Sequence, residues 1–335
     1  MPKLSIVVLV YKTAKLLPRC LDSIIGQKGF NAADVEIVVV SDNSPDDVDE
    51  VMRGYRWPGI SYVCRKVNGG EAKARNTGLR CCTGRYYTYV DSDDEVVNGY
   101  LETLLGIIDR HRPDIITYRY AIIDESGKRL GVSTRHREGL MLDASMSSGE
   151  RARVFDAFGP NLRCNAVYRL DPIRGLRYRE QYKLGIDGLF AFESYLRAKS
   201  FYVSNNVLYT YYQYASSATH NFTSRKLCDL MSIHRHYVGE IVRSPHLAAI
   251  RLAALHFLAS NYCTWLLSEA RAAGRGSEVD RCYRHTLMFA VESLCEKGLG
   301  FRLVFVLVKL ALDNNWLVLL KPVRICIKIA SRIGV

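Results

Sequence analysis

The chain has 335 residues, 48% of them apolar and 24% charged, which is enough apolar material for one large domain or two modest ones and too much for a disordered polypeptide. Its 24 glycines and 9 prolines exclude collagenous or low-complexity character. The formal net charge of +12 suggests an acidic partner, but its distribution is uneven. Residues 1–100 carry 13 basic and 13 acidic side chains, residues 101–220 carry 17 and 13, and residues 221–335 carry 16 and 8.

In chain order, residues 4–10 form a continuous apolar run, as expected of a parallel strand covered on both faces. Leu17, Leu21, Ile24 and Ile25 recur at helical spacing, and Pro18 places the start of that helix near Leu17. Residues 35–40 read as a second buried strand, ending in the polar run Ser41-Asp42-Asn43-Ser44-Pro45-Asp46-Asp47. A third strand is expected at 60–64. Asn68-Gly69-Gly70 then turns into a helix from Glu71 to about Cys82. Residues 86–90 are a fourth strand, ending at Asp91-Ser92-Asp93-Asp94. Leu101, Leu104, Leu105 and Ile108 mark a helix, followed by a strand at 114–118. Alternating strands and helices predict an α/β fold, a Rossmann-like, mostly parallel sheet flanked by helices. The stretch 119–220 is more irregular and rich in Arg and Tyr, and from about 225 the pattern is helical to the end.

Ligands of such sheets bind at the carboxyl ends of the strands, where three polar clusters fall: Tyr11-Lys12, Ser41-Asp42-Asn43 and Asp91-Ser92-Asp93-Asp94. Carboxylates this close repel one another, and a bound cation offsets the repulsion. Oxygen-only ligands suit Mg²⁺ or Mn²⁺. Asp91 and Asp93 share one side if the strand continues through them. The alternative is that Ser92 or Asp93 merely caps the next helix.

Taken together, the strand ending in Tyr11, the SDNSPD strand end, NGGEAKARNTG and TGRYYTYVDSDD resemble family 2 glycosyltransferases, which have the A-type nucleotide-sugar transferase fold. Fainter similarity continues through Arg163–169, Gly185-Ile186-Asp187-Gly188-Leu189-Phe190 and 211–219, so it covers about 1–220. The resemblance implies a catalytic domain at 1–220, with a nucleotide-binding half (1–120) and an acceptor half (121–220), followed by a helical region at 221–335. It implies that Tyr11 stacks on the base and Asp42 hydrogen-bonds it, favouring uracil. Arg75 and Asn76 would serve the nucleotide and diphosphate, with Ser92 beside them. Asp91 would contact ribose or metal, Asp93 would ligate the Mn²⁺ or Mg²⁺, and His220 would complete the metal site, the alternative being a merely structural histidine. Asp187 would be the catalytic base. The chain departs from the family pattern at Leu9 and Lys12, at Ile186 before the base, and at Gln213.

The implied activity is inverting, metal-dependent transfer from a nucleotide sugar, UDP-linked by expectation, to a saccharide, polyol or lipid-linked saccharide of a bacterial surface polysaccharide. An inactive transferase-like scaffold in a polysaccharide assembly complex is the alternative. A dinucleotide oxidoreductase is disfavoured because no GxGxxG follows the first strand. The neutral front half disfavours a nucleic-acid partner.

The ten cysteines show no CxxC spacing. Cys20, Cys64 and Cys263 fall in apolar periodic segments as small hydrophobes, so a reducing cytosol is expected. The opening residues lack a signal-peptide cleavage site, and the sequon at Asn221 is read as silent. The apolar run 303–320 is interrupted by Lys309, Asp313, Asn314 and Asn315, so no transmembrane span is expected. His234 and His236 read as solvated helix side chains. Lys321, Arg324, Lys328 and Arg332 fall within an arc of about 80° on a helix at 321–335. That pattern suits either the anionic inner face of a membrane or burial against the protein or an identical subunit.

Overall fold

The computed structural model describes residues 1–134, 136–142, 145–147, 150–151, 154–155, 165–214, 224–244, 247 and 281. His220, Arg163, Cys164, Cys263, Asn221, the 303–320 run and the 321–335 helix lie outside the described residues. The chain divides into two compact units, one of residues 1–146 and 157–221, the other of residues 147–156 and 222–335.

The first unit is built on one sheet. Its strands are β1 (Leu4–Val10), β2 (Val35–Ser41), β3 (Ile60–Cys64), β4 (Tyr86–Asp91), β5 (Glu95–Val96), β6 (Ile115–Asp124), β7 (Arg129–Val132), β8 (Gly139–Leu142), β9 (Ala166–Arg169) and β10 (Ser200–Gln213). They run in the order β3-β2-β1-β4-β9-β6-β10-β5, with β7 on β6 and β8 on β10. The β3-β2-β1-β4 half is wholly parallel. β9 is antiparallel to both its neighbours, while β6 and β10 run parallel. The Val- and Ile-rich runs of β1 and β2 are buried almost throughout, as a sheet covered on both faces requires.

The helices are α1 (Leu17–Ile25), α2 (Val48–Arg53), α3 (Glu71–Cys81), α4 (Tyr100–His111) and α5 (Ile186–Tyr195). Leu17, Cys20, Leu21 and Ile24 form the buried stripe of α1, with Pro18 in its first turn. Helix α3 presses its backbone onto β1 at Gly78, where an added Cβ would lie 2.4 Å from Val7 Cγ1. Val7 is fully buried and β-branched, so its side chain cannot swing away. Gly78→Ala gains about 1 kcal/mol of helix propensity but overpacks the core by about 1–3 kcal/mol. We expect a lower melting temperature for the variant, measured by thermal unfolding.

Two expectations fail here. Cys64 is exposed rather than buried, because β3 is the edge strand of the sheet and covers only part of its surface. Neither Ser92 nor Asp93 caps a helix: α4 starts after Gly99, which is left-handed at φ 85.

In the second unit, α6 (Ser224–Arg243) corrects a third. His234 is fully buried rather than solvated, since it shares a stripe with Leu230 and Val238 at i±4 and Ile241 at i+7. Burial lowers its imidazole to about 4. No helix among the described residues is long and apolar enough to cross a membrane.

Candidate active site

The sheet reverses its strand order between β1 and β4, the place where open α/β sheets bind ligands. Register puts Val10 beside Ser41 and Leu9 beside Asp91. Tyr11, Asp42 and Asp91 therefore emerge along one edge. The backbone there is unusual: Lys12 and Asn43, the last residue of each of the first two clusters, hold φ of 60 and 53, a region that costs non-glycine residues energy and concentrates at functional sites.

Strand β4 ends at Asp91 and does not continue through Asp93, so the condition for the two side chains to share one side of a strand is not met. The Asp94 N–H donates to the Asp91 carbonyl at 2.9 Å and closes a turn. Asp94 is buried and accepts from the Tyr209 hydroxyl at 2.7 Å and the Tyr212 N–H at 2.8 Å, so β10 anchors the turn's far end. Burial, then the charges of Asp91 and Asp93, raise the Asp94 carboxyl well above the usual range. Ser92 is buried, with its hydroxyl 2.6 Å from that of Thr13.

Arg75, on α3, is 1% exposed and gathers three carboxylates. Nη2 reaches Glu71 Oε1 at 2.7 Å and Asp91 Oδ1 at 3.0 Å, and Nε lies 3.2 Å from Asp187 Oδ1. Its guanidinium lies 3.7 Å from the centroid of the Tyr89 ring. The arrangement exploits a planar fork that donates from several edges while stacking by its face. Burial pushes the Asp91 carboxyl up to about 6, with Arg75 opposing and Asp93 reinforcing. Burial also raises Asp93.

Asp187 lies in the first turn of α5, after left-handed Gly185. Three residues on, Phe190 stacks on Tyr178 at 4.2 Å and packs edge-on against Tyr87 and Tyr168. This aromatic cluster fixes α5, and through it the Asp187 carboxylate against Arg75.

Asn76 is spent differently from expectation. Its amide nitrogen donates to the Tyr178 carbonyl at 2.9 Å and to Glu180 Oε1 at 3.0 Å, and its oxygen accepts from the Tyr178 N–H at 2.8 Å. It is buried and fastens the segment before α5 to α3. Asp42 is likewise committed: it accepts from the Gly70 N–H at 2.7 Å, from the Gly69 N–H, and from Arg65. That shapes the turn into α3, where Gly70 holds φ 85 with the Lys183 Nζ close to its Cα hydrogen side. Tyr11 is 45% exposed, with the Lys12 Nζ over its ring at 5.3 Å from the centroid.

Arg19, Arg65, Glu71, Tyr89 and Tyr178 were not singled out from the sequence. Only the i,i+4 spacing of Glu71 and Arg75 gave a readable signal.

The family model for glycosyl transferase family 2 matches residues 5–176, the span that builds this sheet edge. The chain belongs to glycosyl transferase family 2. Among curated relatives, the glycosyltransferase GlyA of Streptococcus pneumoniae is 30% identical over 226 residues, covering 62% of this chain and 30% of that protein. TarS of Staphylococcus aureus, a poly(ribitol-phosphate) beta-N-acetylglucosaminyltransferase, is 26% identical, covering 63% of this chain and 35% of its own length. The match thus spans about a third of these relatives. The crystal structure of TarS residues 1–349 has a TM-score of 0.73 at 20% identity, covering 99% of this chain and 92% of that one. The same fragment has been solved with UDP and with UDP-GlcNAc. The fold is that of the A-type family 2 transferases.

Family 2 enzymes with this fold commonly use a divalent cation, and the donor set at the β4 turn fits one. Asp91, one-third exposed, and Asp93 offer carboxylates that burial makes costly to ionise unpaired. Among the described residues no three His, Cys, Asp or Glu side chains converge as a metal cluster. Two such oxygen ligands would leave positions for phosphate oxygens and water, as Mg²⁺ and Mn²⁺ prefer.

Proposed function

We propose that the chain transfers a sugar from a nucleotide sugar, UDP-linked, to a hydroxyl of a saccharide or polyol acceptor in bacterial surface-polymer synthesis, with inversion at the anomeric carbon. The observation that carries this reading is the meeting of Asp91 and Asp187 on one buried guanidinium. A donor-side carboxylate from the β4 turn and a second carboxylate from α5 are thereby held at fixed separation across Arg75. The N-acetylglucosaminyltransferase activity named for TarS and its complexes with UDP and UDP-GlcNAc support the donor class.

In this reading Tyr11 lies against the base, and Asp42, besides accepting from Arg65, Gly69 and Gly70, accepts from the imino N–H of the base. Arg75 Nη1, buried without a hydrogen-bond partner among the described residues, is the guanidinium edge left for the donor. Asn76 acts as a positioning residue through Tyr178 and Glu180. Asp91 and Asp93, with His220, would hold a Mn²⁺ or Mg²⁺, which when bound stabilises negative charge on the departing diphosphate. Asp187 accepts the proton of the acceptor hydroxyl as its oxygen bonds to the anomeric carbon. The bond from that carbon to the diphosphate oxygen breaks on the opposite face, and UDP leaves with the electron pair. A single displacement gives inversion, unlike glycoside hydrolysis with its two flanking carboxyl groups.

Incubating the full chain with a panel of nucleotide sugars and Mn²⁺, and following nucleotide release, tests the donor. UDP release from one UDP-sugar, with an inverted anomer seen by NMR, is the expected result. Release of no nucleotide from any donor, with UDP still bound, would favour the inactive scaffold.

A further inference from the structure

The β4 turn is held at both ends by β10 and by the Asp94 N–H, but one more contact fixes its middle. Arg19, on α1, donates through Nη2 to the Asp93 carbonyl at 2.5 Å and to the Tyr214 hydroxyl at 3.0 Å. Its Nε lies 3.3 Å from Glu95 Oε1, and its guanidinium covers the Tyr212 ring at 3.9 Å. Tyr212 in turn donates to Glu95 Oε2 at 2.7 Å. Arg19, Glu95 and Tyr212 thus close a ring of contacts, and Nη2 of the fork is shared between the Asp93 carbonyl and the Tyr214 hydroxyl. This joins three segments distant in sequence: α1, the Asp91–94 turn and the end of β10.

A contact to the Asp93 carbonyl restricts the peptide that follows the Asp93 side chain, and so the direction of its carboxylate. The neighbouring peptides are already fixed, by the Asp94 N–H on the Asp91 carbonyl and by Tyr209 and Tyr212 on the Asp94 side chain. The Asp93 carboxylate accepts from its own backbone N–H, and its carbonyl is the turn's link to Arg19 and Tyr214. A lysine could reach one of these partners but not lie over Tyr212 while pairing with Glu95 and donating to the carbonyl together.

We infer that Arg19 is a positioning residue that sets the Asp93 carboxylate for its divalent cation, acting through the Asp93 carbonyl and touching neither substrate nor metal. The inference rests on the proposed metal role of Asp93. It adds to that role the statement that the metal affinity of the turn is set from α1.

Binding of Mn²⁺ to the full chain with saturating UDP, followed by electron paramagnetic resonance of free Mn²⁺, tests it on wild type, R19M, R19K and D93N. UDP affinity without metal and thermal unfolding are measured on the same samples. The expected result is a loss of Mn²⁺ affinity of about tenfold or more, ~1.4 kcal/mol or above, in both R19M and R19K. Metal-free UDP affinity should stay near wild type. Wild-type Mn²⁺ affinity in R19M, beside a D93N that has lost the ion, overturns the role of Arg19 alone. So does a lowered melting temperature with Mn²⁺ affinity unmoved, or full rescue by R19K, since charge rather than the fork would then suffice. If D93N itself binds Mn²⁺ as wild type does, the metal reading of the turn fails first, and this inference with it.

Discussion

Asp187→Asn is expected to lower turnover by about 10²–10⁴-fold, the range for loss of a positioned general base, while UDP affinity is retained. The two effects separate because Asp187 sits on α5, whereas the base and diphosphate positions proposed above lie at the ends of β1 and β2, on α3 and on the β4 turn. Asparagine keeps the shape of the side chain, so the aromatic packing of Phe190 beneath it is undisturbed. Arg75 loses one of three carboxylate partners and keeps Glu71 and Asp91, so the fold should tolerate the change. Steady-state turnover and UDP titration of the same preparation check the separation. Turnover within a few-fold of wild type would remove Asp187 from the mechanism.

Arg75→Met is the opposite kind of variant, with its main effect on the fold. Two partly buried carboxylates, Asp91 and Asp187, would face each other and the half-exposed Glu71 without a cation. Removing one member of a buried ionic network costs about 3–5 kcal/mol. For a domain of this size each kcal/mol lowers the melting temperature by about 2–4 °C. Arg75→Lys should recover only part of the loss, because an ammonium cannot pair with three carboxylates in a plane while lying over Tyr89. Thermal unfolding of the full chain measures both. Stability of R75M indistinguishable from wild type would mean that the carboxylates are organised by something other than this guanidinium.

The front half of the sheet was legible because its physics is local. The 4–10, 35–40 and 60–64 runs needed no partner to be recognised as strands, and Pro18 marked the start of α1. The rear half was not, for reasons visible in its residues. β5 is two residues long, and β7 and β8 are short and half-exposed. β10 is interrupted by Ser204, Asn205 and Asn206, where its register against β6 shifts, so no alternating pattern survives to be read. Asn165, in the segment preceding β9, is buried to pin Tyr118 and Thr117, a pairing with no local signature.

The site divides the same way. Its carboxylates stand at strand ends, where any reader of an α/β sheet would look. The cations that organise them do not. Arg19 on a helix reads as a solvated side chain until the fold brings it to Asp93, 74 residues away. Arg65 follows an edge strand, and only the fold brings it onto Asp42. Asn76 was read as a ligand contact from its place in the motif, and its partners at 178 and 180 are more than a hundred residues distant. Side-chain chemistry was visible from residue type, but which side chain satisfies which depends on sheet order.

Calorimetric titration of the full chain with UDP, with and without Mn²⁺, tests the central claim most directly. The account predicts that UDP binds, and that Mn²⁺ tightens binding by about tenfold or more, ~1.4 kcal/mol, in wild type but not in D93A. Absence of UDP binding under both conditions, or a Mn²⁺ effect undiminished in D93A, would contradict it.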